Sequence, residues 1–234
     1  MTPANSLPLF RFFDPKEDRL VVERRLPHWT QPGTVTFITW RTWDSLPQEV
    51  LQVWLAERDA WLSRHGVDPE AEGWRVQLAR LPLEAQCEFH NILSARWETS
   101  LDECHGTCVL RRADLSRIVA DSLRHFDGDR YCLTDFVVMP NHVHILVVFP
   151  DAEQMLKQCE SWKHFTAVRI NRELGRQGRF WQVDDFDHLV RSPEQFEYLR
   201  DYIAENPVRA LLKPGEFVHC SIDLPGSLAR LSAR

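Results

Sequence analysis

The order of hydrophobic and polar positions along the chain predicts a series of strands and helices. Strands are indicated where β-branched and aromatic residues run together, at 34–41, 131–139, 142–149 and 186–190. Helices are indicated where apolar residues recur three and four positions apart, at 47–65, 83–98, 113–126 and 153–174. A last helix opens at Ser192-Pro193, and Pro207 is expected to end it near Asn206.

Two of the strands are joined only by Pro140-Asn141, which predicts an antiparallel hairpin. The order strand, helix, strand, strand, helix, strand is the ferredoxin-like βαββαβ pattern. We therefore expect an α+β fold: an antiparallel sheet with helices on one face, the other face free for a ligand, and an appended C-terminal helix. The main domain is assigned to 34–213, with a helical insertion at about 44–104, an irregular N-terminal arm over 1–33 and a tail over 214–234.

The composition is that of a globular protein. Of the 234 residues, 44% are hydrophobic and 26% are charged, which excludes a disordered chain, a collagen-like chain and a coiled coil. No apolar run approaches the roughly 18–20 residues of a membrane span, and the N-terminus lacks the features of a secretory signal. The six cysteines are interpreted as reduced thiols, and a cytoplasmic location without membrane contact is expected.

The net charge of −6 argues against nucleic acid as a partner, because a basic surface is the usual sign of one. The charge is unevenly distributed, however. Residues 41–104 contain six Lys or Arg against twelve Asp or Glu, a difference that equals the whole net charge. The remainder is neutral and contains a basic cluster between Lys157 and Arg176. Nucleic acid therefore remains a possible partner for the part of the chain outside the acidic segment.

His142 and His144 begin the second strand of the predicted hairpin. Residues two apart on a strand share a face, so both imidazoles point the same way, while Val143, Ile145 and Val147 point the other way and pack. This geometry suits one divalent cation, although two unconnected histidines at the start of a strand are the more common interpretation of this pattern alone. Cys104 and Cys108 are a second pair of metal-ligand residues, but no further pair at matching spacing accompanies them, so buried or incidental thiols are favoured over zinc.

In the last predicted helix, Phe196, Leu199 and Ile203 form the packing stripe. Tyr202 and Asn206 lie four residues apart on its flank, and Tyr198 points further toward solvent. A phenol beside an amide at the edge of the core could serve a site together with a metal. The alternative is a tyrosine at the rim and an asparagine that ends the helix.

The stretch 136–146, FVVMPNHVHIL, strongly resembles the His-hydrophobe-His strand of the single-tyrosine, single-strand transposases. Further blocks resemble the REP-associated tyrosine transposases. They are LPHW at 26–29, DGDRY at 127–131, SWKHFTA at 161–167, FWQ, FDH and Arg within 180–191, and YIAENPVRA at 202–210. The blocks lie in the family's order, and the resemblance covers nearly all of 24–213.

The resemblance implies a transposase that cleaves and rejoins single-stranded or hairpin DNA, as a monomer or a homodimer. His142 and His144 match the family's metal-binding pair, Tyr202 matches its nucleophile, and Asn206 matches its third metal contact. Mg²⁺ or Mn²⁺ would polarise the scissile phosphate. Attack by Tyr202 would leave a 5′-phosphotyrosine and a free 3′-OH, which conserves the bond energy without a nucleotide cofactor.

Residues expected to contact DNA are Lys163, Arg169, Arg172 and Arg191 for phosphates, and His28 and Trp29 for unpaired bases or a hairpin tip. A solvated surface is an equally good interpretation of the four cations. Asp187 or His188 is a candidate to help activate the phenol, whose pKa is ordinarily about 10.

Two other functions are compatible with this fold. A non-catalytic nucleic-acid-binding module would stack bases on exposed aromatic residues of the sheet, but the sequence shows no such motif. A metal hydrolase that uses water as its nucleophile would make Tyr202 dispensable. The acidic insertion departs from the basic character of many family members, and its charge would repel DNA if it faced the site.

Overall fold

The structure is a computed structural model that describes residues 10–14, 17, 20–23, 27–82, 84–86, 88–89, 92, 100, 103–183 and 186–222. Its contacts divide the chain into two compact units. The smaller unit is Asp44–Thr107, and the larger unit comprises the described residues of Met1–Trp43 and Cys108–Arg234.

In the larger unit the helices and strands follow one another as the sequence predicts, with three additional strands, whereas the helix Trp74–Ala79 of the smaller unit was not predicted. The helices are α1 (Gln48–Arg64) and α2 (Trp74–Ala79) in the smaller unit, and α3 (Ala113–Arg124), α4 (Ala152–Glu173) and α5 (Pro193–Arg209) in the larger one. The strands are β1 (Leu20–Glu23), β2 (Pro27–Thr30), β3 (Val35–Arg41), β4 (Cys132–Val138), β5 (His142–Val148), β6 (Phe186–Leu189) and β7 (Val218–Ser221). A short 3-10 helix, Val109–Arg111, precedes α3.

Five strands form one antiparallel sheet in the order β6-β3-β5-β4-β7. Without β7, this order is the one that the βαββαβ pattern produces, and the predicted α+β fold class is confirmed. The strand β7 pairs with β4 and lies in the region interpreted from sequence as a tail. Its four residues, Val-His-Cys-Ser, are too few for a period of two to stand out.

The sheet is covered on both faces. Helices α3 and α4 pack on the face that carries Ile38, Val143 and Ile145, as the alternation along β5 predicts. Helix α5 packs on the opposite face, against Phe37 and Leu146. The face expected to be free for a ligand is therefore covered by the C-terminal helix, and any site on it lies beneath α5.

Helix α5 begins where the sequence predicts and ends later. The Ser192 side chain caps it by accepting a hydrogen bond from the backbone N–H of Gln195 at 3.2 Å. The helix does not end at Asn206 but continues through Pro207 to Arg209. Proline removes one backbone donor and crowds the preceding turn. Both Asn206 and Pro207 are buried in the larger unit, so packing holds this turn in helical form.

The predicted irregular arm contains an antiparallel hairpin, because β1 pairs with β2 from Leu20 opposite Thr30 to Glu23 opposite Pro27. Before this hairpin, Phe10 is buried and its ring contacts Phe196 of α5 edge-on at 5.1 Å. Phe10 thus covers part of α5. The described residues of the predicted arm therefore include a short hairpin that their turn-forming neighbours did not indicate.

The smaller unit has its own apolar core, formed by Trp61, Leu62, Val67, Leu78 and Phe89. Its first helix matches the predicted 47–65 closely, whereas the predicted helix over 83–98 lies largely outside the described residues. Among the described helices of either unit, none combines the length and apolar character needed to cross a membrane.

Candidate active site

Strand β5 presents two buried imidazoles on the face covered by α5. The ring centroids of His142 and His144 are 4.6 Å apart, and the planes meet at 73°. The register places Thr39 opposite His144 and Arg41 opposite His142. Directly opposed residues in an antiparallel pair share a face, so the side chains of Thr39 and Arg41 flank the histidines.

The Nδ1 atom of each imidazole is held by a neighbour. It lies 2.7 Å from the Thr39 hydroxyl in His144 and 2.7 Å from the Asn141 side-chain oxygen in His142. An amide oxygen only accepts, so the proton of His142 is assigned to Nδ1, which donates to it. The Nε2 atoms of both rings are buried and have no hydrogen-bond partner among the described residues. Such an anchored Nδ1 and available Nε2 are typical of histidines that bind a metal.

Burial keeps both imidazoles neutral. It lowers the pKa of His142 to about 3, and the Asn206 side chain opposes the shift. Asn206 therefore lies close to this ring, although the contact does not meet the geometry of a hydrogen bond. Burial, and secondarily the charge of His142, lowers the pKa of His144 well below its ordinary value. Neutral imidazole is the form that ligates metal ions.

Helix α5 brings Tyr202 and Asn206 to the histidines in the same chain. The Tyr202 ring lies 5.2 Å from His144 and 6.2 Å from Phe37, measured between centroids. Asn206 follows one turn later and is fully buried. Its side-chain oxygen and nitrogen have no hydrogen-bond partner among the described residues. A buried amide without a hydrogen-bond partner lowers stability by about 1–3 kcal/mol. Such a group is typical of a site that binds a ligand.

The donor set of the two Nε2 atoms and the Asn206 oxygen fits a divalent cation. Imidazole nitrogen suits transition metals, and an amide oxygen is a ligand that Mg²⁺ and Mn²⁺ accept. No three His, Cys, Asp or Glu side chains in the described part of the chain are grouped to hold a metal.

Phe37 is at the centre of the aromatic cluster around the histidines. It stacks on His144 at 5.3 Å and contacts His188 at 5.2 Å. Burial lowers the pKa of His188 to about 4, and the charge of Arg191 adds to the shift. Asp187, the other residue considered for activating the phenol, is paired with Ile38. Because Ile38 faces α3 and α4, alternation directs Asp187 away from Tyr202.

The residues predicted to contact DNA are spread over the larger unit. Lys163, Arg169 and Arg172 lie on α4, which covers the face opposite the histidines. The ammonium of Lys163 donates to the backbone oxygens of Val183, at 2.6 Å, and Gln182, at 3.3 Å. Arg169 and Arg172 are exposed.

The remaining predicted DNA contacts lie outside α4. Arg191 is exposed at the start of the turn into α5, where its charge reaches His188. His28 and Trp29 belong to β2, and their side chains lie outside what the structure describes.

Sequence reasoning missed the residues of β3 that complete the site. Thr39 and Arg41 follow Phe37 at a period of two and lie within the predicted strand. Their proximity to the histidines depends on the pairing of β3 with β5, about 100 residues apart in sequence, which periodicity does not reveal. Asn141 was assigned only to the turn, yet its side chain orients His142.

Comparison with known proteins gives one family match. Residues 112–206 match a family described as "Transposase IS200 like", a segment that includes both histidines, Tyr202 and Asn206. A solved structure described as "Structure of the REP associates tyrosine transposase bound to a REP hairpin" is 14% identical, with a TM-score of 0.38, over 83% of this chain and 90% of that chain. The comparison with curated proteins gave no match. The family match confirms the resemblance found from the sequence: residues 112–206 are similar to the IS200-like transposases.

Proposed function

We propose that this protein is a metal-dependent, single-strand DNA transposase that cleaves and rejoins DNA at hairpin-forming repeats through a 5′-phosphotyrosine. Its nucleophile is Tyr202, and its metal ligands are His142, His144 and Asn206. The observation that carries the proposal is the set of buried, hydrogen-bond-free donor atoms at these three ligands, next to a tyrosine of the same chain.

In the cleavage step, the Tyr202 oxygen attacks the scissile phosphorus, and the phenol loses its proton. A bond forms from the phenolic oxygen to phosphorus, the bond from phosphorus to the 3′-oxygen breaks, and the 3′-oxygen leaves as a hydroxyl after gaining a proton. The 5′ end remains joined to Tyr202. Attack by another 3′-OH on the phosphotyrosine reverses the step and joins the strands.

A divalent cation held by His142, His144 and Asn206 would supply charge stabilisation for the phosphate and would lower the pKa of a nearby phenol. The protein's contribution is to hold the groups in place. Thr39 and Asn141 fix the two imidazoles through Nδ1. Neutral His188 contacts the same Phe37 ring as Tyr202, but its lowered pKa makes it a weak proton acceptor, so lowering the pKa of the phenol falls mainly to the cation.

The substrate assignment rests on the sequence blocks that resemble REP-associated tyrosine transposases. In this proposal one chain supplies the whole site, since Tyr202 and the histidines meet without a second copy. A monomer is therefore sufficient for cleavage, although a homodimer is compatible with it. The exposed Arg191, whose charge reaches His188, is assigned to the DNA backbone. We also keep the cytoplasmic location as part of the proposal, since the described cysteines are thiols rather than disulfides.

The test uses a single-stranded hairpin oligonucleotide labelled at its 3′ end, because the proposed adduct retains that portion of the strand. The protein is incubated with the oligonucleotide and Mn²⁺, and denaturing electrophoresis detects a labelled covalent adduct. We expect the adduct with the native chain and not with Tyr202→Phe. Tyr198→Phe is the matched control, because Tyr198 lies one turn earlier on α5 and is exposed.

Two outcomes would contradict the proposal. Cleavage by Tyr202→Phe without any adduct would indicate a hydrolase that uses water. Binding of the hairpin without cleavage by the native chain, with Mg²⁺ or Mn²⁺ present, would indicate a non-catalytic DNA-binding module.

A further inference from the structure

A tryptophan lies half-exposed two residues after the end of β3. Trp43 keeps 51% of its surface exposed, although tryptophan is mostly buried in folded proteins. The guanidinium carbon of Arg179 lies 4.6 Å from the centroid of the Trp43 ring. A cation at this distance from an indole is in the range of a cation–π contact.

The backbone around Trp43 is held firmly. The N–H of Trp43 donates to the Phe180 oxygen at 2.8 Å, and the side chain of Gln182 donates to the Trp43 oxygen at 2.9 Å. Thr42 also forms a β-bridge with Trp181. An exposed ring on such a fixed backbone loses little conformational freedom when a ligand stacks on it.

A further backbone hydrogen bond, made by the residue before Trp43, links this segment to the strand that carries the histidines. The N–H of Thr42 donates to the backbone oxygen of Asn141 at 2.7 Å, and the Asn141 side chain holds His142. Arg41, two residues before Trp43, is the register partner of His142. Trp43 therefore follows β3 at the end of the sheet where β5 begins with His142, one of the proposed metal ligands.

We propose that Trp43 and Arg179 form a stacking site for an unpaired base of the DNA strand next to the cleaved phosphate. This inference rests on the proposed function and extends it to a substrate contact. The indole stacks on the base, and the guanidinium of Arg179 neutralises the adjoining phosphate. Arg176, which lies over the Phe180 ring at 5.2 Å, adds a second positive charge to the same loop. Bases inside a duplex are already stacked, so the ligand is a single-stranded flank and not the hairpin stem.

The first experiment measures binding without chemistry. In a Tyr202→Phe background with EDTA, fluorescence anisotropy compares a hairpin carrying a single-stranded flank with the same hairpin lacking it. We expect Trp43→Ala to weaken binding of the flanked hairpin about tenfold and to leave the bare hairpin unchanged. Trp43→Phe should retain most of the affinity, because a phenyl ring still stacks. The control is Tyr198→Ala, which removes an exposed aromatic residue from α5.

The second experiment locates the base. Single abasic positions are introduced along the flank, and each oligonucleotide is titrated with the Trp43 and Trp43→Ala proteins. At one position of the flank, removal of the base should weaken binding to the protein that retains Trp43 about tenfold. The same abasic oligonucleotide should bind the Trp43→Ala variant as tightly as the intact flank does, because both changes remove the same contact. Arg179→Gln should weaken binding and reduce its dependence on salt.

The inference would be overturned if the Trp43→Ala variant bound the flanked hairpin as tightly as the protein that retains Trp43. It would also be overturned if Trp43→Ala weakened binding of the flanked and the bare hairpins equally. Abasic effects that add to Trp43→Ala at every position would also overturn it. These readouts do not depend on cleavage. A missing adduct would therefore reject the proposed function without deciding this contact, while unaltered binding would reject this contact without deciding the function.

Discussion

The two faces of the sheet are built from the same strands and differ in what their polar atoms do. On the face under α3 and α4, two large polar side chains, Tyr131 and Trp181, have hydrogen-bond partners, while the Trp40 Nε1 atom has none among the described residues. The Tyr131 hydroxyl donates to the Leu123 oxygen at 2.6 Å, and Trp181 donates to the Thr166 hydroxyl at 2.8 Å. On the face under α5, the Nε2 atoms of both histidines have no hydrogen-bond partner among the described residues.

Because side chains alternate along β5, two neighbouring residues of this strand belong to the two different faces. Ile145 packs in the core under α3 and α4, whereas His144 faces Tyr202. Buried polar groups without partners lower stability and are retained where they serve a ligand. The comparison therefore assigns stability mainly to one face and chemistry to the other, and neighbouring residues of a single strand can test this division.

The largest effect is expected from His144→Gln. The change removes an imidazole ligand, so formation of the covalent adduct should fall at least about 1000-fold, well beyond the roughly 10–100-fold usual for residues that only orient a ligand. The free energy of unfolding in urea should change by less than about 1.5 kcal/mol, since the side chain makes one hydrogen bond, to Thr39. Retention of native adduct formation would contradict the division of roles between the faces.

Ile145→Ala, one residue further on, should have the opposite profile. It creates a cavity in the core, and we expect the free energy of unfolding to fall by about 3 kcal/mol. Adduct formation per folded molecule should stay within about twofold of the native value at low temperature. A loss of activity as large as that of His144→Gln would show that the two faces are not separable.

Arg200→Met is expected to lower the free energy of unfolding by less than Ile145→Ala does. Arg200 of α5 donates to the buried carboxylate of Asp135 on β4 at 3.0 Å, and to Ser221 of β7 at 2.9 Å. Removing the cation leaves Asp135 with only the Ser221 hydroxyl, which donates to it at 2.6 Å. Breaking a buried ion pair costs about 3–5 kcal/mol, and because Arg200 is partly exposed we expect about 2 kcal/mol in urea unfolding.

The control for Arg200→Met is Lys157→Met. It breaks an exposed pair with Glu153 on α4, where a loss of less than about 0.5 kcal/mol is expected. Equal losses in the two variants would mean that the contact of Arg200 with Asp135 does not hold α5 to the sheet.

Thr39→Val should give the smallest of these effects. It keeps the shape of the side chain and removes the hydroxyl that holds Nδ1 of His144. We expect the Mn²⁺ concentration for half-maximal adduct formation to rise about tenfold, at the lower end of what such orienting residues contribute. Thr36→Val, on the same strand but on the other face, should leave that concentration unchanged.

Local patterns were sufficient for much of the fold. The strand 34–41 and the helices 113–126 and 153–174 were predictable because their periodicity is long and regular, and the Pro140-Asn141 turn fixed the hairpin. The short strands β1, β2 and β7 have too few residues to show a period. The continuation of α5 through Pro207 depends on burial of that turn, which overrides the local preference.

The candidate site was predictable only where a local sequence pattern or the family resemblance pointed to its residues. The spacing of His142 and His144 gave their shared face, and the resemblance pointed to Tyr202 and Asn206. The orienting roles of Thr39 and Asn141 arise from strand pairing and side-chain contacts that no local pattern contains. The orientation of Asp187 away from Tyr202 likewise follows from the pairing of Asp187 with Ile38, which the sequence alone does not reveal.

The proposed nucleophile and the third proposed metal ligand are carried by the same rigid rod, one turn apart on α5. In the proposed reaction, any swing of that rod that transports a tethered DNA end would withdraw Asn206 as well. Transport of the strand and assembly of the complete metal site would then exclude each other. The tethered end would be protected from the reverse reaction for as long as the rod is displaced.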